Sequence, residues 1–308
     1  MSYELRDDET LADGLRRVCR KQIDLALAFA RGEKEPDDTP VHETRKHLKK
    51  ARAALRLVQK EIGRGLFRQQ DCRLRDIARL VSDIRDAEVR LQTVRELQGI
   101  TRRRGRATYR NLEAMLLLEL ENFMAAFAEW QSQAIPMLEQ ARMEIDCWPL
   151  DHFTGKQLRR AVQRSYKCAR NALAAARAHP DANTFHEFRA QAKVLGYQLR
   201  ILRPTNPVVL QNVSDELDSL GKLLGRAHDL SFLDERLRPE EGRAGWQREA
   251  QKLLAVIEVS QTDLQRGAAE LGERFFAERP REFGARVASW LDDWADAKSS
   301  SVADALVS

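Results

Sequence analysis

Cysteine, proline, glycine and aromatic side chains are all scarce in this chain, and each scarcity closes off a class of structure. The four cysteines, Cys19, Cys72, Cys147 and Cys168, stand far apart with no CxxC spacing, which argues against a zinc site or a disulfide framework. They read as reduced core thiols of a cytoplasmic protein. Nowhere do eighteen apolar residues run together, and the start "MSYELRDDETLADGL" has no basic region followed by an apolar one. A soluble, unexported protein with no membrane partner is expected. GxSxG, the P-loop and the two-carboxylate pattern of a glycosidase are missing, as is an acidic cluster that would hold Mg²⁺ among phosphates. Neither catalysis nor a cofactor is therefore expected.

Ala, Leu, Arg, Glu and Gln fill the space instead, with 43% apolar and 32% charged residues, only nine Pro and fifteen Gly in 308 positions. These are good helix formers, so the expected fold class is all-α. Phe123, Phe127 and Trp130, like Trp290 and Trp294, have helical spacing and read as bundle core. Fifty-two Lys and Arg against forty-seven Asp and Glu leave a net charge of +5, which hints at an anionic partner and shifts attention to how the charge is distributed.

The chain aligns with itself. "VHETRKHLKKARAALRLV" and "FHEFRAQAKVLGYQLRIL" match without a gap, pairing His42 with His186, Arg45 with Arg189, Lys49 with Lys193 and Arg56 with Arg200 at an offset of 144 residues. Leu15, Arg16 and Arg17 match Leu158, Arg159 and Arg160, and Asp86 of "IRDAEV" matches Asp229 of "AHDLSF". A period of this size corresponds to a whole helical bundle, so two pseudo-symmetric halves are expected, about 1–149 and 150–298, forming one domain over 5–297 with a flexible tail at 298–308. Turn signals place helices near 9–31, 40–62, 66–97, 106–134 and 136–147, then 152–178, 184–203, 207–237, 243–276 and 280–297. Thr39 and Thr184 are the expected N-caps of the two histidine helices, and Pro136 an expected break.

At 100° per residue, His42, Arg45, Lys49, Arg52 and Arg56 fall within a sector of about 80°. Leu48, Ala51, Leu55 and Val58 occupy the neighbouring, core-facing sector, while Lys50 and His47 point elsewhere and read as solvated. In the second half His186, Arg189, Lys193 and Arg200 repeat the stripe beside Leu195, Leu199 and Leu202, with Gly196 in place of Arg52. Cations stacked roughly every 5 Å repel one another unless something neutralises them, and an elongated anion would do so. Arg17, Lys21, Arg160 and Arg164, with Lys167 nearby, flank the apolar rows of the first helices and would complete the walls of a basic cavity between the two halves.

Other readings compete with this one. A basic helix face is often simply solvated or held in surface ion pairs. The Arg-rich "TRRRGRATYR" would suit a nucleic-acid partner, although few aromatics remain for base stacking. His42 and His186 could initiate helices or serve a phosphate-processing enzyme as acid, base or nucleophile. Asp86 and Asp229 suit the capping of a turn or the orienting of a cation. "HETRKH" is not HExxH, which disfavours a metal.

The two His-x-x-Arg helices, each followed after a further helix by "IRDAEV" or "AHDLSF", resemble the half-signatures of the CHAD domain, the conserved histidine α-helical domain. The resemblance covers about residues 5 to 297. It implies two pseudo-symmetric helical bundles and a basic central cavity that binds inorganic polyphosphate, with the His42 and His186 stripes as phosphate contacts and an association with polyphosphate granules. Gly196 and His228 depart from the family's usual basic residues. The ExExK motif of the CYTH domain often fused to such relatives is absent, so the resemblance points to a stand-alone binding module.

Overall fold

The computed structural model describes residues 3–103, 109–238 and 246–307, and within them every regular element is helical. The first half contains α1 (Leu11–Ala30), α2 (Pro40–Leu57), α3 (Arg64–Arg79), α4 (Ser82–Arg103), α5 (Arg110–Met124) and α6 (Phe127–Glu144). The second contains α7 (Gly155–Ala178), α8 (Ala182–Ile201), α9 (Pro207–Leu237), α10 (Gln247–Phe275) and α11 (Pro280–Val307). Half of "TRRRGRATYR" and most of "RPEEG" lie outside the described residues.

The histidine helices begin where side chains can occupy their free N–H groups. The Thr39 hydroxyl accepts from the His42 N–H at 3.1 Å, and Pro40 sits in the first turn, where its missing donor costs nothing. The α8 cap is Asp181, not Thr184. The Asp181 carboxylate accepts the Thr184 N–H while the Thr184 hydroxyl accepts the Asp181 N–H, so Thr184 is the third-residue partner of a capping box.

Other boundaries move for local reasons. The stretch 66–97 is two helices, parted at Leu80 and Val81, where the Ser82 hydroxyl donates to the Arg79 carbonyl and the Arg45 guanidinium to that of Ala78. Pro136 breaks nothing: it lies inside α6, flanked by the buried residues Trp130, Ala134, Leu138 and Ala141, whose burial outweighs one lost helix hydrogen bond. The turn comes earlier, at Ala125 and Ala126, where the Ala126 N–H bonds the Phe123 carbonyl. At the far end α11 runs through Val307, past the boundary expected at 298.

α1 packs along α2, α7 along α8, and α2 meets α8 at the centre. Leu48, Ala51, Leu55 and Val58 on one side and Leu195, Leu199 and Leu202 on the other are fully buried in one continuous core. The amide of the buried Gln198 donates to the Ala53 carbonyl at 3.1 Å and fastens the crossing. A smaller core joins α4, α5, α9 and α10 through Leu91, Val94 and Leu97 of α4, Leu112 and Leu116 of α5, Leu230 and Leu233 of α9 and Ile257 of α10.

Three sequence expectations about burial fail. His47 is a core residue, 6% exposed, with its Nδ1 2.8 Å from the Gln22 amide oxygen and its ring stacked on Phe29 at 5.6 Å. Of the four free thiols only Cys19 is buried, whereas Cys72 is half-buried and Cys147 and Cys168 are exposed. Phe123, Phe127 and Trp294 border the core instead of filling it, while Trp130 and Trp290 are buried as expected.

Candidate functional site

The N-terminal half of α2 and the middle of α8 face a cavity of about 300 Å³. α2 contributes His42, Arg45, Lys46 and Lys49, α8 contributes Arg189, Lys193 and Tyr197, and α4 and α9 close it with Arg85, Asp86, His228 and Asp229. Six Lys and Arg side chains thus meet two carboxylates in the wall. Lys46 is held by Glu43 and Arg85 by Glu88, both from outside the lining. Burial draws the Arg45 guanidinium below its ordinary pKa and Asp86 pulls it back up; Arg189 and Asp229 stand in the same relation. Both carboxyls are in turn pushed up by burial against the pull of these arginines. The two aspartates therefore stand near these arginines as counter-charges, without an ion pair to either among the described residues.

Lys49 has no hydrogen bond or ion pair among the described residues. Its side chain is exposed to water in the cavity, with the cations of both helices crowded around it. Burial, followed by Lys193, Arg45, Arg189 and Arg85, lowers it to about 7. Lys193 falls to about 8, through burial first and Arg189 next. Arg189 also lacks a partner among the described residues, and its Nε is buried without one. Arg45, by contrast, donates to the Ala78 carbonyl at the end of α3.

The histidines differ between the halves. His42 Nδ1 lies 3.2 Å from Asp38, and burial followed by Arg85 lowers its pKa. His186 is exposed and is not among the residues lining the cavity, but its Nδ1 lies 3.3 Å from that of His228, which is. Burial, then Arg189, lowers His228 to about 3, and His186 is lowered for the same two reasons. No group of His, Cys, Asp and Glu suited to a metal occurs among the described residues.

The remaining members of the stripe go elsewhere. Arg52 donates Nε and Nη2 to the Asp71 carboxylate at 2.8 and 2.9 Å, and Arg200 is paired with Asp218. Arg17 donates to Glu9 at 2.7 Å and to the Glu4 carbonyl at 2.6 Å. Arg56 and Arg164 line a separate hollow between α2, α3, α7 and α8. Lys21, Arg160 and Lys167 line neither space. Conversely, Arg85, Lys46 and Tyr197 line the cavity although the stripe does not select them. Arg85 has a signal in its position before Asp86, and Lys46 sits at the edge of the sector; Tyr197 has none.

Residues 17–238 match the family model of the CHAD domain. The chain belongs to the CHAD domain family. Two solved structures share the fold of this CHAD domain. "PptA from Streptomyces chartreusis" aligns at 16% identity and a TM-score of 0.60, covering 87% of this chain and 99% of that one. The "CHAD domain from the plant Ricinus communis" aligns at 16% identity and a TM-score of 0.60, covering 89% and 94%. Among curated proteins, none matches the sequence. No helix among the described residues is long and apolar enough to cross a membrane.

Proposed function

We propose that this CHAD domain binds inorganic polyphosphate, without turning it over, in the cavity that its two repeats build between α2 and α8. The supporting observation is the concentration of six Lys and Arg side chains around a space of about 300 Å³, with Lys49 and Arg189 lacking a partner among the described residues. Like charges held together this closely favour a ligand that brings several negative charges at once. Polyphosphate does so with no base to read, and guanidinium forks and ammonium groups match its oxygens.

Shape supports an elongated ligand. The cavity shares Lys193 and Tyr197 with an adjoining hollow of about 470 Å³, and Arg85, Val89 and Asp229 with another of about 490 Å³. A chain entering at the centre can extend toward the first, which adds Arg200 and Lys222, whereas the second is lined by more carboxylates than arginines. The matched relations of Arg45 with Asp86 and of Arg189 with Asp229 support a pseudo-two-fold arrangement.

Calorimetry with phosphates of increasing length tests the proposal at fixed salt. Affinity should rise from orthophosphate through tripolyphosphate to long chains and fall steeply as salt is added. Equal affinity for short and long chains would remove the elongated site. Competition with RNA and duplex DNA separates polyphosphate from nucleic acid, which would win if the basic surface served that partner. No orthophosphate should appear on prolonged incubation; its release, abolished by His42→Ala or His186→Ala, would make the protein an enzyme.

A further inference from the structure

The hollow between α2, α3, α7 and α8 holds about 350 Å³ and lies apart from the cavity just described. Arg56 enters it from α2 and Arg164 from α7, with Gln59, Ser165 and Gln191 adding polar groups. Neither guanidinium has a hydrogen bond or ion pair among the described residues, and burial lowers the pKa of both. The one carboxylate lining the space, Asp71, is engaged by Arg52. Arg52 repels Arg56, while Asp71 and Glu187 attract it without forming an ion pair. Arg164 stands likewise between the pull of Glu61 and the push of Arg160.

The positions that the self-alignment pairs with the α2 side of this hollow answer the same need internally. The offset that pairs His42 with His186 also pairs Arg56 with Arg200 and Gln59 with Arg203. Arg200 is neutralised by Asp218 and Arg203 by Glu4. Glu4 belongs to an N-terminal segment that crosses this region, with the Tyr3 hydroxyl donating to the Lys50 carbonyl at 3.0 Å and the Leu5 N–H to that of Ile201 at 2.9 Å. No segment of the described chain does this for Arg56 and Arg164.

We propose that the α2–α3–α7–α8 hollow is a second anion site, taking one phosphoryl oxyanion between Arg56 and Arg164. Two guanidinium forks with amide and hydroxyl neighbours suit a tetrahedral oxyanion, either free phosphate or the end of a longer chain. The site does not depend on what fills the central cavity.

Cys168 lines this hollow and is exposed, whereas Cys147 is exposed elsewhere, so alkylation reports on the site directly. Iodoacetamide labelling of the full chain is followed by mass spectrometry at constant ionic strength, with chloride, orthophosphate or tripolyphosphate. Phosphate should slow Cys168 severalfold and saturably while leaving Cys147 unchanged. Protection by orthophosphate identifies the free ion as sufficient; protection by tripolyphosphate alone identifies a chain end. Protection should persist in Lys49→Gln/Lys193→Gln, where central binding is weakened, and vanish in Arg56→Gln/Arg164→Gln. If neither phosphate slows Cys168 in the wild-type chain, or if the arginine variant keeps the protection, the site does not exist.

Discussion

Lys49 carries a positive charge among Lys193, Arg45, Arg189 and Arg85, and this sets the pH dependence of the cavity. With its free-state pKa at about 7 and that of Lys193 at about 8, both lose protons just above neutrality. A bound polyanion stabilises the protonated forms and moves both back toward the ordinary lysine value, so binding takes up protons. Affinity should therefore be steady below about pH 7 and fall as pH rises from there toward about 10. Isotherms with long polyphosphate at constant ionic strength check this, and Lys49→Met should flatten the fall; an unchanged slope would remove Lys49 from the effect. The same shifts act on stability with a definite sign. Between the folded and unfolded pKa the unfolded chain binds more protons, so the repulsion costs stability most at low pH and is relieved as pH rises. Arg45 and Arg189 part company in a second prediction. Arg45→Gln removes the donor to the Ala78 carbonyl and should cost about 1–3 kcal/mol of stability, whereas Arg189→Gln removes an unpartnered charge and should cost little. Both should weaken polyphosphate binding, so chemical denaturation beside calorimetry separates the two roles.

Helices are legible in the sequence because periodicity and caps are local. The core faces of α2 and α8 follow directly from the spacing of Leu48, Ala51 and Leu55 and of Leu195 and Leu199. The stripe is only half legible. Its cations on α2 share an angular sector, but the helix has different neighbours along its length: α8 and α4 beside Arg45 and Lys49, α3 beside Arg52, α7 beside Arg56. An angle around one helix cannot report which helix stands opposite. Pro136 misleads for a related reason, since burial on both sides of it is a tertiary property. Glycines show the same dependence on neighbours. A methyl group at Gly196 in α8 would meet Leu217 at an ordinary 3.8 Å, so Gly196→Ala should gain about 0.5–1 kcal/mol from helix propensity. At Gly272 in α10 the same group would lie 2.9 Å from the ring of Phe188, which is fully buried and has no room to move. Gly272→Ala should lose about 1–3 kcal/mol to overpacking, and thermal melts of the pair should shift in opposite directions.

Across the whole chain, the self-alignment of the sequence suggests two units, whereas the main core is continuous across both. Leu48 and Leu55 of α2 share it with Leu195 and Leu199 of α8, and the buried Gln198 bonds across the crossing to Ala53. Separating the halves would expose that apolar face and leave the Gln198 amide without its acceptor. The cavity is divided in the same way, with Arg45 and Lys49 from one half and Arg189 and Lys193 from the other. A fragment spanning 1–149 should therefore lack a cooperative thermal transition and give a poorly dispersed amide spectrum. Adding the complementary fragment 150–308 should restore both, and polyphosphate binding with them, because neither half holds enough of the cation cluster to bind alone. A sharp, cooperative melt of 1–149 by itself would show that each repeat is a self-sufficient bundle and that the shared core is only an interface.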